Sequence, residues 1–66
     1  MVDGHKIREM REAEDLTTTE FAEKICISQT AVSHIELGVK QPSVAVLKRV
    51  ADCFGVTVDE LLAAEK

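Results

Sequence analysis

Gln29, Thr30, Ser33 and His34 are short or amide-bearing donors and acceptors gathered in one stretch of the chain. If that stretch is helical and Val32 and Ile35 turn inward, these four form its outward face. Groups of this kind read base edges. A glutamine amide addresses N6 and N7 of adenine, and a threonine offers thymine either a hydroxyl or a methyl. Neutral His34 donates to or accepts from a base, and when protonated it reaches a phosphate. The bland alternative is a plain polar surface, so position has to decide. Other chemistries find less support. No nucleophile, base and orienting group come together, and no phosphate-cradling loop is present, which argues against an enzyme. Cys26 and Cys53 lack CxxC spacing, and His5 and His34 stand at no ligand interval, so no metal, cofactor or small-molecule ligand is expected. His5 reads as an exposed surface histidine.

The stretch from Thr17 to Gly38 positions the polar face. Thr17 caps a first short helix, with Glu20 three residues on as its reciprocal partner and Leu16 and Phe21 as a hydrophobic staple. Ser28 caps a second helix, roughly Gln29 to Leu37, with Ile27 just outside it, and Gly38 supplies the positive φ that ends it. Ala22, Val32 and Ile35 are small or branched where two steeply crossing helices must pack, the geometry of a helix-turn-helix. Gln29 and Thr30 then stand at the exposed start of the second helix, which favours base contact over plain surface.

Elsewhere the chain reads as further helices. One begins near Asp3 with Ile7 and Met10 inward. Another is capped by Ser43, carries Leu47, Val50, Ala51 and Phe54 as its inner stripe, and stops at Gly55. A last one starts at a second box, Thr57 with Glu60, stapled by Val56 and Leu61. The 66 residues make one domain, 1–66, whose core is marginal at this size. Apolar residues form 45% of the chain, and only Phe21 and Phe54 are aromatic, which disfavours a base-stacking platform for single strands. The net charge is −4, the wrong sign for a partner of a polyanion, but residues 26–42 are neutral because Lys40 and Glu36 cancel. Affinity for DNA would therefore rest on a few placed contacts rather than on a basic field. Neither a signal peptide nor a long apolar run is visible, which points to a cytoplasmic chain with reduced thiols and no membrane partner.

The segments KIREMREAEDLT, TEFAEKICIS, TAVSHIELG and KQPSVAVLKRVADCFGVTVDELL, in this order and register, resemble the Cro and phage-repressor (Xre-type) helix-turn-helix DNA-binding domains over nearly the whole chain. The resemblance implies an all-α, five-helix, lambda-repressor-like domain whose third helix enters the major groove of double-stranded DNA. It also implies that Arg11 pairs with Glu36, a planar guanidinium holding a carboxylate bidentately between helices one and three. Thr18, Ser28, Lys40 and Gln41 are the phosphate-facing positions. Three departures stand out. Thr18 replaces a common glutamine, so its phosphate contact shifts toward the backbone amides. Cys26 occupies a turn position that usually takes glycine, at a cost of about 1 kcal/mol; a redox role for it is the lesser alternative. Leu37, Val39 and Gln41 stand where relatives often carry basic residues, so phosphate anchoring is thin.

These features together lead to the expectation of a sequence-specific transcription regulator, a repressor in preference to an activator. A homodimer is expected on a palindromic operator, through a face of helices four and five that includes Val46, Cys53 and Leu62. The alternative is a protein-interaction module of the same fold, an antitoxin or inhibitor partner, with weakened DNA binding.

Overall fold

The computed structural model describes residues 2–62. Four α-helices follow one another: α1 (Gly4–Ala13), α2 (Thr18–Ile25), α3 (Gln29–Glu36) and α4 (Val44–Phe54). Each begins where a short polar side chain takes up backbone N–H groups that the helix itself leaves unpaired. The Asp3 carboxylate accepts from the amides of His5 and Lys6 at 3.1 and 3.3 Å. Thr17 and Glu20 form the full reciprocal box, at 3.1 and 2.9 Å. Ser28 accepts from Ala31 and Ser43 from Val46, at 3.0 and 3.2 Å.

A fifth α-helix does not form among the described residues. Val58–Leu61 is a single 3-10 turn behind the Thr57–Glu60 box. Leu62 is extended and pairs with Val2 in an isolated antiparallel bridge, and the amide of Asp3 donates to the carbonyl of Leu61 at 3.1 Å. Bonding to the N-terminal segment takes the backbone groups that another helical turn would need, so the two ends of the fold close on each other instead. Residues 63–66, which the five-helix reading would include, lie outside the described residues.

The core forms where the helices' inner faces meet. Ile7, Phe21, Ile25, Val32, Val50 and Leu61 are its fully buried side chains. Phe21 of α2 stacks on Phe54 of α4 with centroids 5.2 Å apart, which favours the offset arrangement of two aromatic rings. In the α4 stripe, Val50 and Ala51 are buried, while Leu47 and Phe54 lie half-buried at its margin. Gly4 is buried where α1 meets the end of α3. A Cβ there would run into the carbonyl oxygen of Ile35 and stand 2.9 Å from that of Glu36, so only glycine permits this approach.

Candidate nucleic-acid interface

Cys26 links the two helices of the motif. Its backbone is left-handed, with φ 61° and ψ 42°, and its amide donates to the carbonyls of Ala22 and Glu23, which ends α2 and turns the chain within one residue. The thiol is exposed. Ile27 then packs half-buried against the core, Ser28 caps, and α3 starts. At its far end the carbonyl of His34 accepts from the amides of Val39 and Lys40, at 2.9 and 3.2 Å, with Gly38 at φ 78°. Leu37 is the cap residue rather than a helical one, so α3 is one residue shorter than its sequence pattern predicts.

Val32 and Ile35 face inward, 1% and 8% exposed, which leaves the polar groups of α3 outward. Gln29 and Thr30 are exposed; Ser33 and His34 are half-buried along the same helix. The amide Nε2 of Gln29 donates to Thr18 Oγ1 at 2.9 Å, joining the first residue of α3 to the first residue of α2. Nothing in the sequence spacing announces this bond. It constrains the glutamine amide and leaves Oε1 and the second N–H outside this bond.

Arg11 supports the arrangement from behind. Its Nε donates to Glu36 Oε2 at 2.8 Å and its Nη2 to Glu36 Oε1 at 3.3 Å, while Nη1 donates to the carbonyl of Leu16 at 2.6 Å. Both side chains are buried, 10% and 7% exposed, so α1 is clamped to the end of α3 by a desolvated bidentate pair. The hydrogen bond to Glu36 is the main reason the guanidinium titrates above its ordinary range, which keeps it charged at any working pH.

The four positions expected to face phosphate are dispersed. Thr18 is half-buried, and Ser28, Lys40 and Gln41 are exposed. Gln41 has an unforeseen structural duty, because its Oε1 accepts from the amide of Val2 at 2.8 Å and ties the N-terminal segment to the α3–α4 loop. The three residues expected at a dimer face do not sit on one free strip. Val46 and Cys53 both pack half-buried against the core, and they line different clefts. Val46 faces Ile27, Ala31 and Ile35, whereas Cys53 faces Lys24, Arg49 and Asp52. Leu62 is 37% exposed beside its bridge to Val2. Val44, Leu37 and Val39 are apolar yet 77%, 72% and 66% exposed, the last two at positions where basic residues would anchor phosphate. Burial holds the Cys53 thiol above its usual range, with Lys24 opposing and Glu14 assisting, which favours the thiol over the thiolate. Among the described residues no three His, Cys, Asp or Glu side chains gather as metal ligands, and no helix is long and apolar enough to cross a membrane.

Two short helices joined through a left-handed residue, the second with its polar face outward and its start hydrogen-bonded to the first, define a helix-turn-helix protein. The model of the family described as "Helix-turn-helix" matches residues 7–61, and the chain belongs to that family. It is 38% identical over 63 residues to the HTH-type transcriptional activator BcrR of Enterococcus faecalis, covering 96% of this chain and 31% of that protein. This chain therefore spans about a third of that relative's length. It is 35% identical over 63 residues to the uncharacterized HTH-type transcriptional regulator YazB of Bacillus subtilis (strain 168), covering 96% of this chain and 91% of that one. The biofilm regulator SinR in complex with DNA superposes with a TM-score of 0.83 at 30% identity, over 91% of this chain and 97% of that one.

Proposed function

We propose that the chain is a sequence-specific, DNA-binding transcription regulator that lays α3 in the major groove of its operator. The observation that carries this reading is the hydrogen bond from Gln29 Nε2 to Thr18 Oγ1 at the exposed start of α3. With one N–H held by Thr18, the glutamine presents its other N–H and its oxygen in a set direction, which is what bidentate pairing with adenine N7 and N6 requires. Orienting the amide beforehand lowers the ordering cost at binding. Thr30 stands beside it for a neighbouring base, and Ser33 and His34 continue the face. The hydroxyls of Thr18 and Ser28, the ammonium of Lys40 and the remaining amide N–H groups of Gln41 serve phosphates, which set register rather than sequence. The DNA complex of SinR, at 30% identity, supports the same use of the fold.

The regulator acts as a homodimer on a palindromic operator in the cytoplasm, as a repressor where that operator overlaps a promoter. Half-sites about 34 Å apart place two α3 helices in successive grooves on one side of the duplex. Apolar surface remaining on α4 and the last turn, at Val44 and Leu62, supports pairing there. The net charge of −4 and the exposed Leu37 favour one second reading, an interaction module of the same fold that has lost DNA affinity. Selection of duplexes from a random pool separates the two. Enrichment of an imperfect palindrome is the expected result; retention of no sequence at low salt rejects the regulator.

A further inference from the structure

The cleft between α1, α2 and α3 contains a cation that base reading leaves unused. Arg8, Arg11, Thr18, Ser33, Glu36 and Leu37 enclose about 250 Å³ there. Arg11 and Glu36 neutralise each other through their buried bidentate bonds. Arg8 is held more weakly. Its Nε meets Glu12 Oε2 at 3.3 Å, one helical turn along α1, and the two side chains are 53% and 54% exposed. Such an exposed pair is weak, so its guanidinium is readily released to a better partner. Two hydroxyls, on Thr18 and Ser33, belong to the same cleft, and Thr18 Oγ1 already accepts from Gln29, which leaves its own O–H to donate. Leu37, 72% exposed on the rim, has nothing to donate.

A guanidinium with two hydroxyls around an open, neutral-floored cleft is a donor set for a tetrahedral oxyanion. Resting on the reading of α3 as the base-reading helix, we infer that this cleft seats one backbone phosphate of the bound duplex, with Arg8 transferring from Glu12 to that phosphate. Thr18 completes its hydrogen bonds, helped by Ser33, which stands at the edge shared by this cleft and the base-reading face. Glu12 occupies the guanidinium in the unbound protein and so competes with DNA. Arg8 thereby supplies the anchoring that Leu37 cannot, and it does so from α1, outside the helix-turn-helix itself.

The test measures affinity against salt concentration for the unmodified chain and its variants, on a selected duplex and on a random one. Arg8→Gln should weaken both duplexes by a similar factor and lower the slope of log K against log salt by about 0.9, the value for one lost phosphate contact. Arg8→Lys should keep most of that slope. Lys24→Gln removes the same charge from the separate cleft beside Arg49, Asp52 and Cys53, and it should leave the slope unchanged. Glu12→Gln should tighten binding. Without DNA, inorganic phosphate at matched ionic strength should raise the melting temperature of the unmodified chain no more than that of Arg8→Gln; a selective rise would mark a built site for a free anion, and the inference falls. An Arg8→Gln slope equal to that of the unmodified chain or of Lys24→Gln overturns it as well. If the unmodified chain selects no duplex, the reading of α3 fails and takes this inference with it, whereas selection with an unaltered Arg8→Gln slope removes this inference alone.

Discussion

Gln29 and Thr18 are eleven residues apart, yet the amide of one donates to the hydroxyl of the other at 2.9 Å, across the gap between the starts of α3 and α2. The bond couples the residue proposed to read a base with the one proposed to face the DNA backbone. Gln29→Ala should cost about 1–3 kcal/mol on the selected duplex and relax preference at one base pair per half-site. Thr18→Val keeps the shape but removes the acceptor, and should cost less while affecting the same base pair. Competition with single-base variants of the duplex reads both, and equal losses on selected and random DNA would remove Gln29 from the readout.

Arg11 and Glu36 are both nearly inaccessible, so the pair matters most when it is half removed. Arg11→Met should destabilise the domain by about 3–5 kcal/mol, because it leaves a buried carboxylate unpaired. Adding Glu36→Leu should recover much of that loss. Urea denaturation of the unmodified chain and both variants measures it; an unchanged midpoint for Arg11→Met would mean that the pair is solvated in solution.

Cys26 carries a left-handed backbone that a side chain disfavours, and its own side chain is exposed. Cys26→Gly should therefore stabilise the fold by about 1 kcal/mol without altering the DNA face. Thermal melting under reducing conditions checks the sign.

Gly4 should behave oppositely. Its missing Cβ makes room for the backbone carbonyls of Ile35 and Glu36, which cannot rotate away as a side chain could. Gly4→Ala should cost about 1–3 kcal/mol by forcing α1 off the end of α3. It should also weaken operator binding beyond what stability explains, since α1 carries the clamp on α3. Melting together with DNA titration separates the two effects.

Glu60 closes the capping box of the last turn, and its bonds from the backbone and then the side chain of Thr57 hold its carboxyl below the ordinary carboxylate range. A depressed folded-state pKa stabilises the fold above the unfolded value of about 4.3, and that contribution is lost as pH falls through the folded value. Melting temperature should decline below about pH 4.3, and Glu60→Gln should flatten part of that decline. A glutamine amide at this position neither ionises nor accepts as strongly, so the variant should also start from a lower melting point at neutral pH.

What the sequence by itself determined is local. The caps at Thr17, Ser28, Ser43 and Thr57 each complete themselves within three residues, so their chemistry can be read in a short window. The inward positions of Val32 and Ile35 followed from helical spacing, whereas the left-handed backbone at Cys26 was expected from likeness to a family whose turn takes glycine there. The partnership of Arg11 with Glu36, 25 residues away, came from likeness to a family and not from spacing. Only the tertiary structure decided the rest, because these relations join residues whose separation along the chain says nothing of their distance in space. The Gln29–Thr18 bond depends on how steeply α2 and α3 cross. The Gln41–Val2 bond spans 39 residues. Val46 and Cys53 share a line on α4, yet neighbouring helices draw them into different clefts. The last turn shows the same division most clearly. Its start is legible at Thr57, but its length depends on Val2 and Asp3, which take the backbone groups of Leu61 and Leu62 and end the helix after one turn.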